Sequence, residues 1–390
     1  MKICQLQDFS RKGGASIAAN RISKSVDQNH EIIKVSSDFD TSNELEGKIT
    51  LQNGRIIRLI DLVGSKIPKS IFKKLRMEDL NRQLRKILGH LRPELINIHN
   101  LHGAAWSVGL TKTALKYSPV VWTLHDCWSY TGAFYKTHSP KPSNQIIKEI
   151  ESFWNDPAIL SSRSRLTAVA PSQWMNAEAK ASYWNKFSVK TIHNPVPDFF
   201  FVKRDRIACK QALGLNLDKP VVLSIAGNLE EKRKGGPILS EILKSELVNK
   251  CQIVLIGSGN LQKISYGTVS SLGFIQDEIA IRMAYQAADL LVHPAPIDNL
   301  PNTVAEAMSC DCPVLAFQTG GLPEMIVTGQ SGWLAPLDDK SSIINALSSI
   351  IETKAYSRMT GSTRNLAKNL FGLPNIGQEY SKFFGSLKVN

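Results

Sequence analysis

The sequence predicts an α/β protein built from two Rossmann-like, doubly wound domains that face each other across a cleft. Three observations carry this reading. The 390 residues exceed what one hydrophobic core usually supports. Short apolar runs alternate with helical patterns, which implies parallel sheets covered by helices on both faces. The series breaks at Asn194-Pro-Val-Pro197 and then begins afresh.

The first series opens with Lys2-Ile-Cys-Gln-Leu6, a strand, then Arg11-Lys-Gly-Gly-Ala15 and a helical pattern through Ser16-Ile-Ala-Ala-Asn-Arg-Ile22. A glycine-rich strand-to-helix turn lets backbone N–H groups approach a phosphate, and it equally serves as a tight turn with no ligand. Apolar runs at Glu94–His99, Val120–Leu124, Leu166–Ala170 and Val189–His193 supply further strands of a first domain, residues 1–197. A second domain, residues 198–370, starts with the strand Pro220–Ile225 and continues with Gln252–Ile256. Gly257-Ser-Gly259 reads first as a turn and second as a ligand contact. The helix Asp277–Ala288 and the strand Leu290–His293 follow. Leu366–Leu387 is partly helical with a break at Phe371-Gly-Leu-Pro374, which sets residues 371–390 apart as a C-terminal segment.

The densest chemistry lies in Asp298-Asn-Leu-Pro-Asn-Thr-Val-Ala-Glu306 and in Gly320-Gly321-Leu-Pro-Glu324. Asp298 falls at the carboxyl end of a strand, where open parallel sheets place their ligand crevice. Pro301 reads as the first turn of a helix, whose unpaired N–H groups and positive dipole end suit a diphosphate. Glu306, more than one turn into that helix, is placed to accept two ribose hydroxyls, while Asp298 on the loop is free to contact a sugar. The diglycine lets a second backbone segment come close. After another strand, Ala226-Gly-Asn-Leu-Glu-Glu-Lys-Arg-Lys-Gly235 offers the cations Arg233 and Lys234 ahead of a diglycine.

The order and spacing of Asp298, Asn299-Leu-Pro-Asn302, Glu306-Ala-Met308, the Pro313-Val-Leu-Ala strand and the Gly-Gly-x-x-Glu turn resemble the retaining GT-B glycosyltransferases of the sucrose-synthase-like family, glycosyltransferase family 4 or "glycosyl transferases group 1". Asp298 stands where the family more often has Glu. Trp122-Thr-Leu-His-Asp-Cys-Trp-Ser-Tyr-Thr-Gly132 is similar to the colanic-acid and surface-polysaccharide subgroup, although Ala133-Phe-Tyr-Lys-Thr-His138 runs on without that subgroup's cysteine-bearing insertion. The resemblance implies that His125 hydrogen-bonds the transferred sugar and that Gly13 and Gly14 lie beside the donor phosphates and the acceptor. It assigns Asp298, Asn299, Leu300, Pro301 and Asn302 to the sugar side, Glu306 to the ribose and Lys234 to the phosphates. Asn228 occupies the position of the family's usual first Arg, with Arg233 as its replacement. The implied reaction retains configuration by front-side substitution, the leaving phosphate helping to take the acceptor's proton, with a nucleotide sugar as co-substrate and no cofactor or metal. The C-terminal helix is implied to cross back to the first domain.

Charge is uneven. Between Arg55 and Arg92 eleven Lys or Arg residues face only Asp61, Glu78 and Asp79, so this segment holds +8 of the net +13. Ile67-Pro-Lys-Ser-Ile-Phe-Lys-Lys-Leu-Arg76 reads either as a solvated helix face or as a basic amphipathic element for an anionic membrane surface. Phe72 is the one aromatic residue in that stretch and no recognised nucleic-acid motif is present, so no nucleic-acid partner is expected. The six cysteines are scattered apart from Cys310-Asp-Cys312, which is not a Cys-x-x-Cys signature, and read as reduced core thiols. With no transmembrane-length apolar stretch and no signal-peptide pattern, the chain reads as cytoplasmic, with the inner face of the cell membrane as its surface. The expected function is transfer of a hexose-type sugar to a glycan or polyprenyl-linked acceptor for a surface polysaccharide. A nucleotide-sugar epimerase of the same fold, or a non-catalytic basic lipid- or nucleic-acid-binding protein, are the alternatives.

Overall fold

The computed structural model describes residues 1–10, 13–26, 30–38, 48–52, 69–203, 205–263, 268–337, 339–359 and 361–387. Two wholly parallel sheets organise them. The first comprises β1 (Lys2–Leu6), β2 (Glu31–Ser36), β3 (Lys48–Thr50), β4 (Leu95–Ile98), β5 (Val120–Thr123), β6 (Leu166–Ala170) and β7 (Ser188–Thr191). Their order is β3-β2-β1-β4-β5-β6-β7, which reverses direction at β1 and β4. The second comprises β8 (Val221–Asn228), β9 (Gln252–Ser258), β10 (Val269–Ser271), β11 (Leu290–His293), β12 (Val314–Phe317) and β13 (Gly332–Ala335), in the order β10-β9-β8-β11-β12-β13. Its reversal lies between β8 and β11. Both switch points therefore open a crevice at the strands' carboxyl ends, and the two crevices face each other.

Helices cover both faces of each sheet, so the central strands are apolar without alternation; all of Val120–Thr123 and Leu290–His293 is buried. One face of the second sheet packs on the helix Asn302–Ser309, through Val304, Ala305 and Met308; the other packs on the helix Lys340–Thr353, through Ile343 and Leu347. In the first sheet, Leu80, Leu84 and Leu88 from the helix Lys69–Leu91 fill one face. Their spacing of four gives a single buried stripe along that helix.

The opposite face of the first sheet is closed by the end of the chain. After the helix Ser362–Phe371 the chain bends at Gly372 into the helix Leu373–Ser386, whose Ile376, Tyr380, Phe383 and Phe384 pack with Ile3, Ile22, Leu95, Val121 and Val169. That helix lies against the first helix, Gly14–Val26. A Cβ at Gly377 would stand 2.2 Å from the Ser25 carbonyl oxygen.

Of the basic segment Arg55–Arg92, the part from Arg55 to Pro68 lies outside the described residues. Within the helix, Lys73 pairs with Glu149 at 2.6 Å and Arg76 donates to the Ala104 carbonyl at 2.9 Å, so both are spent inside the protein. Lys74, Arg85 and Lys86 are exposed, as are Ile71 and Leu75 on the same helix. No helix among the described residues is long and apolar enough to cross a membrane.

Because backbone cannot yield as a side-chain tip does, Gly377→Ala should push the C-terminal helix off the first one. A loss of about 1–3 kcal/mol is expected, seen as a lower thermal midpoint with accelerated proteolysis after Gly372. An unchanged midpoint would show that this close approach is dispensable.

Candidate active site

The loop after β11 carries Asp298, and its position depends on two glycines from elsewhere. Gly320 adopts φ +56°, and a Cβ there would lie 1.9 Å from the Asp298 carbonyl oxygen; a Cβ on Gly321 would lie 1.9 Å from that of Asn299. With no side chains in the way, the Gly321 N–H donates to the Asp298 carbonyl at 3.0 Å. The turn Lys232–Lys234 after β8 is brought in the same way, since a Cβ at Gly235 would stand 2.1 Å from the Pro294 carbonyl oxygen.

These approaches deliver cations to Asp298. Its carboxylate is 5% exposed, takes Lys234 Nζ at 2.6 Å and His293 Nε2 at 3.3 Å on one oxygen, and accepts the Tyr135 hydroxyl at 3.1 Å on the other. Burial alone would raise this carboxyl, but Lys234 and His293 outweigh it and hold the group well below the ordinary value of 3.8. Asp298 is an anion at every physiological pH. Tyr135 belongs to the first domain, so the acid already bridges the cleft.

His125 follows β5 at the opposite wall. Its Nε2 lies 2.9 Å from His99 Nδ1 and the two rings stack at 5.2 Å. Burial pushes the His125 imidazole down to about 4, and burial with the neighbouring His125 holds His99 well below the ordinary value, so the pair is neutral with one ring donating to the other. Asn299 ties this wall to the motif loop. Its amide donates to the carbonyls of Leu124 and His125, both at 3.1 Å, and its carbonyl accepts from the Ser172 hydroxyl at 2.6 Å.

The motif helix makes two further crossings. Asn302 donates to the Gly14 carbonyl at 2.9 Å, in the turn where Gly13 holds φ +87°. Glu306, 6% exposed, pairs with Arg21 of the first domain at 2.7 Å and accepts from the Tyr285 hydroxyl at 3.0 Å. Glu324 receives the backbone N–H groups of Gln173 and Trp174, at 2.7 and 2.6 Å, and so caps the helix Gln173–Lys180 of the other domain.

The structure thus joins Asp298 to Lys234, His125 to Asn299, and Gly14 to Asn302. It does not gather every expected residue. Leu300 is buried in the second domain's core and Pro301 is the N-cap of the motif helix, so they offer backbone rather than side chain. Asn228 is exposed and accepts from the Glu230 N–H at 2.9 Å. Arg233 is held by Glu231 at 2.8 Å with its guanidinium 4.8 Å from the Phe134 ring centroid.

Several participants were missed in the sequence. His293 ends an apolar strand, the same signal that marked His125, and could have been found. Tyr135, His99, Arg21 and Tyr285 carry no local signal. His102, with Nε2 3.5 Å from buried Asp126, stands between Trp128 and Phe134 and lines a small pocket with His99, Asn100 and His125.

Because the folded-state value of Asp298 is depressed, its ionised form stabilises the fold above the ordinary carboxylate value, and that contribution shrinks as pH falls below 3.8. Lys234→Met should therefore cost about 3–5 kcal/mol at pH 7, because a buried carboxylate loses its main partner, and the gap to the wild type should narrow in strong acid. Urea melts at both pH values measure this, and a gap independent of pH would mean that the pair is not the cause.

A family model described as Glycosyltransferase Family 4 matches residues 12–198, and one described as Glycosyl transferases group 1 matches residues 220–353. The chain is 22% identical over 206 residues to N-acetyl-alpha-D-glucosaminyl L-malate synthase of Bacillus anthracis, covering 50% of this chain and 53% of that protein. It is 23% identical over 281 residues to the putative colanic acid biosynthesis glycosyl transferase WcaC of Escherichia coli (strain K12), covering 66% and 67%. The chain spans about half the length of the first of these curated relatives. Among solved structures it is similar to sucrose-phosphate synthase from Thermosynechococcus elongatus, with a TM-score of 0.74 at 16% identity over 99% of both chains. It is also similar to Anabaena HepE in complex with UDP-glucose, with a TM-score of 0.71 at 19% identity over 99% of this chain and 100% of that one. Two facing parallel-sheet domains, each matched by its family model and joined through the Asp298 motif, place the chain in glycosyltransferase family 4, the group 1 glycosyl transferases of GT-B fold.

Proposed function

We propose that this protein transfers a hexose-type sugar, with retention of configuration and without a metal or cofactor, from a nucleotide sugar to a glycan or polyprenyl-linked acceptor in surface polysaccharide synthesis. The observation that carries the reading is the buried Asp298 carboxylate, held ionised by Lys234 where the two domains meet. The WcaC likeness supports the polysaccharide context and the HepE complex supports a nucleotide-sugar donor.

In this reading Asp298 and the backbone through Asn302 hold the sugar, and Glu306 the ribose. Lys234 uses one of its three N–H donors on Asp298 and turns the others to the diphosphate, joined by Arg233. As the bond from C1 to the phosphate oxygen breaks, negative charge grows on that oxygen and these cations stabilise it. The acceptor oxygen bonds C1 from the same side, and its proton passes to the departing phosphate. A covalent route through Asp298 is disfavoured, because a carboxylate bound to Lys234, His293 and Tyr135 is a poor nucleophile. Exposed Lys74, Arg85 and Lys86, on the helix that also exposes Ile71 and Leu75, support peripheral contact with an anionic membrane.

Screening nucleotide sugars by thermal shift should find one that stabilises the protein by about 2.7 kcal/mol at a hundred times its Kd. Incubated alone with that donor, the protein should leave the sugar's configuration intact; a sugar epimerised without any acceptor would favour the epimerase reading instead. For the membrane, Lys74→Glu with Arg85→Glu should cut sedimentation with phosphatidylglycerol vesicles while preserving the melt, since both side chains are exposed. Undiminished sedimentation would locate the contact elsewhere.

A further inference from the structure

The acid assigned to the ribose is already held by the other domain. Arg21, from the helix Gly14–Val26 of the first domain, is only 4% exposed. Its Nη1 lies 2.7 Å from Glu306 and its Nη2 2.7 Å from Glu278, both on helices of the second domain, and its guanidinium carbon sits 5.4 Å from the centroid of the Phe200 ring. The Glu306 oxygen that Arg21 does not touch accepts the Tyr285 hydroxyl at 3.0 Å.

As a purely stabilising device this is a poor choice, because a buried ion pair gains little over well-packed apolar groups once desolvation is counted. Its location suggests another use. Arg21 stands seven residues beyond the Gly14 turn, which Asn302 already binds, so the phosphate end and the ribose end of the presumed nucleotide cleft are bridged by the same two helices. Each carboxylate oxygen can accept two hydrogen bonds. Arg21 engages one oxygen of Glu306 and Tyr285 the other, which orients the carboxylate and leaves one acceptor position on each, the arrangement that a vicinal diol requires.

We propose that Arg21 is a positioning residue of the nucleotide site: it fixes Glu306 for the ribose diol, and because it comes from the opposite domain it makes ribose recognition depend on the closed cleft. This rests on the reading of Glu306 as the ribose acid. A first-domain substitution should then impair recognition of a group bound by the second domain.

Calorimetry on the full chain tests this, using whichever of UDP, ADP and GDP binds the wild type most tightly, together with its 2′-deoxy form. Arg21→Ala should weaken the ribonucleotide on the order of thirtyfold and collapse the preference over the deoxynucleotide. Arg21→Lys, which keeps the charge, should recover part of both and also serves if the alanine variant fails to fold. Combined with Glu306→Gln, Arg21→Ala should add little, because both act on one carboxylate. If the Arg21 variants melt lower but bind with unchanged affinity and unchanged deoxy discrimination, or if the two substitutions are additive, Arg21 is structural and the inference falls while the ribose reading stands. If Glu306→Gln alone leaves affinity and discrimination intact, the ribose reading falls and takes the inference with it.

Discussion

Keeping a carboxylate charged while it is out of water is the constraint on which this molecule's centre depends. Asp298 meets it with a lysine, a histidine and a tyrosine hydroxyl drawn from three separate parts of the chain. An isolated buried carboxylate would neutralise itself by taking up a proton. Lys234 prevents that, and Lys234 reaches Asp298 only because Gly235 lets its turn touch Pro294. The position of both loops and the glycines Gly235, Gly320 and Gly321 thus serve this one ion pair. The same glycines that look like loop punctuation are where backbone meets backbone.

The motif also does work that its length conceals. Asn299, Asn302, Glu306 and Glu324 each reach into the first domain, to the carbonyls of Leu124 and His125, to Gly14, to Arg21 and to the helix Gln173–Lys180. The two sheets share no strand, and each has its own apolar layers. What joins them through the motif is polar, hydrogen bonds and an ion pair rather than a shared apolar layer. A polar closure would suit the proposed transfer, in which a donor enters and a diphosphate leaves. The C-terminal helix works in the opposite sense, with Tyr380 and Phe384 buried in the first sheet's core as a permanent apolar tether.

The fold was legible because parallel strands buried on both faces read as continuous apolar runs; Leu166–Ala170 and Leu290–His293 have the same bounds in sequence and structure. β2, β3, β10 and β13 were not read. Glu31-Ile-Ile-Lys-Val-Ser36 mixes charge with apolar residues, Lys48–Thr50 and Val269–Ser271 are three-residue strands, and Gly332 stands where a Cβ would lie 2.0 Å from the Val314 carbonyl oxygen. All four strands are at or next to a sheet edge, where burial on both faces no longer dictates composition. In the site, acids and cations at strand ends were visible, whereas Arg21, Tyr135 and Tyr285 gain meaning only through partners more than twenty residues away. Periodicity reports local burial and is silent about such pairings.

Specificity should then reside outside the shared motif. The stretch Ala133–His138, where this chain departs from the subgroup it resembles, supplies both Tyr135 to Asp298 and Phe134 beneath Arg233. Phe134 also meets His102 edge-on at 5.1 Å, and His102 faces Asp126, whose carboxyl burial pushes upward. One short loop thus touches Asp298, Arg233 and the polar pocket of the first domain. In the proposed reaction the shared motif would hold the diphosphate and the reacting carbon, whereas discrimination between sugars or acceptors depends on which hydroxyls find partners and which are left unpaired. A loop that contacts all three regions changes those partners without disturbing the ion pair at the centre, so relatives with the same motif can differ in what they join.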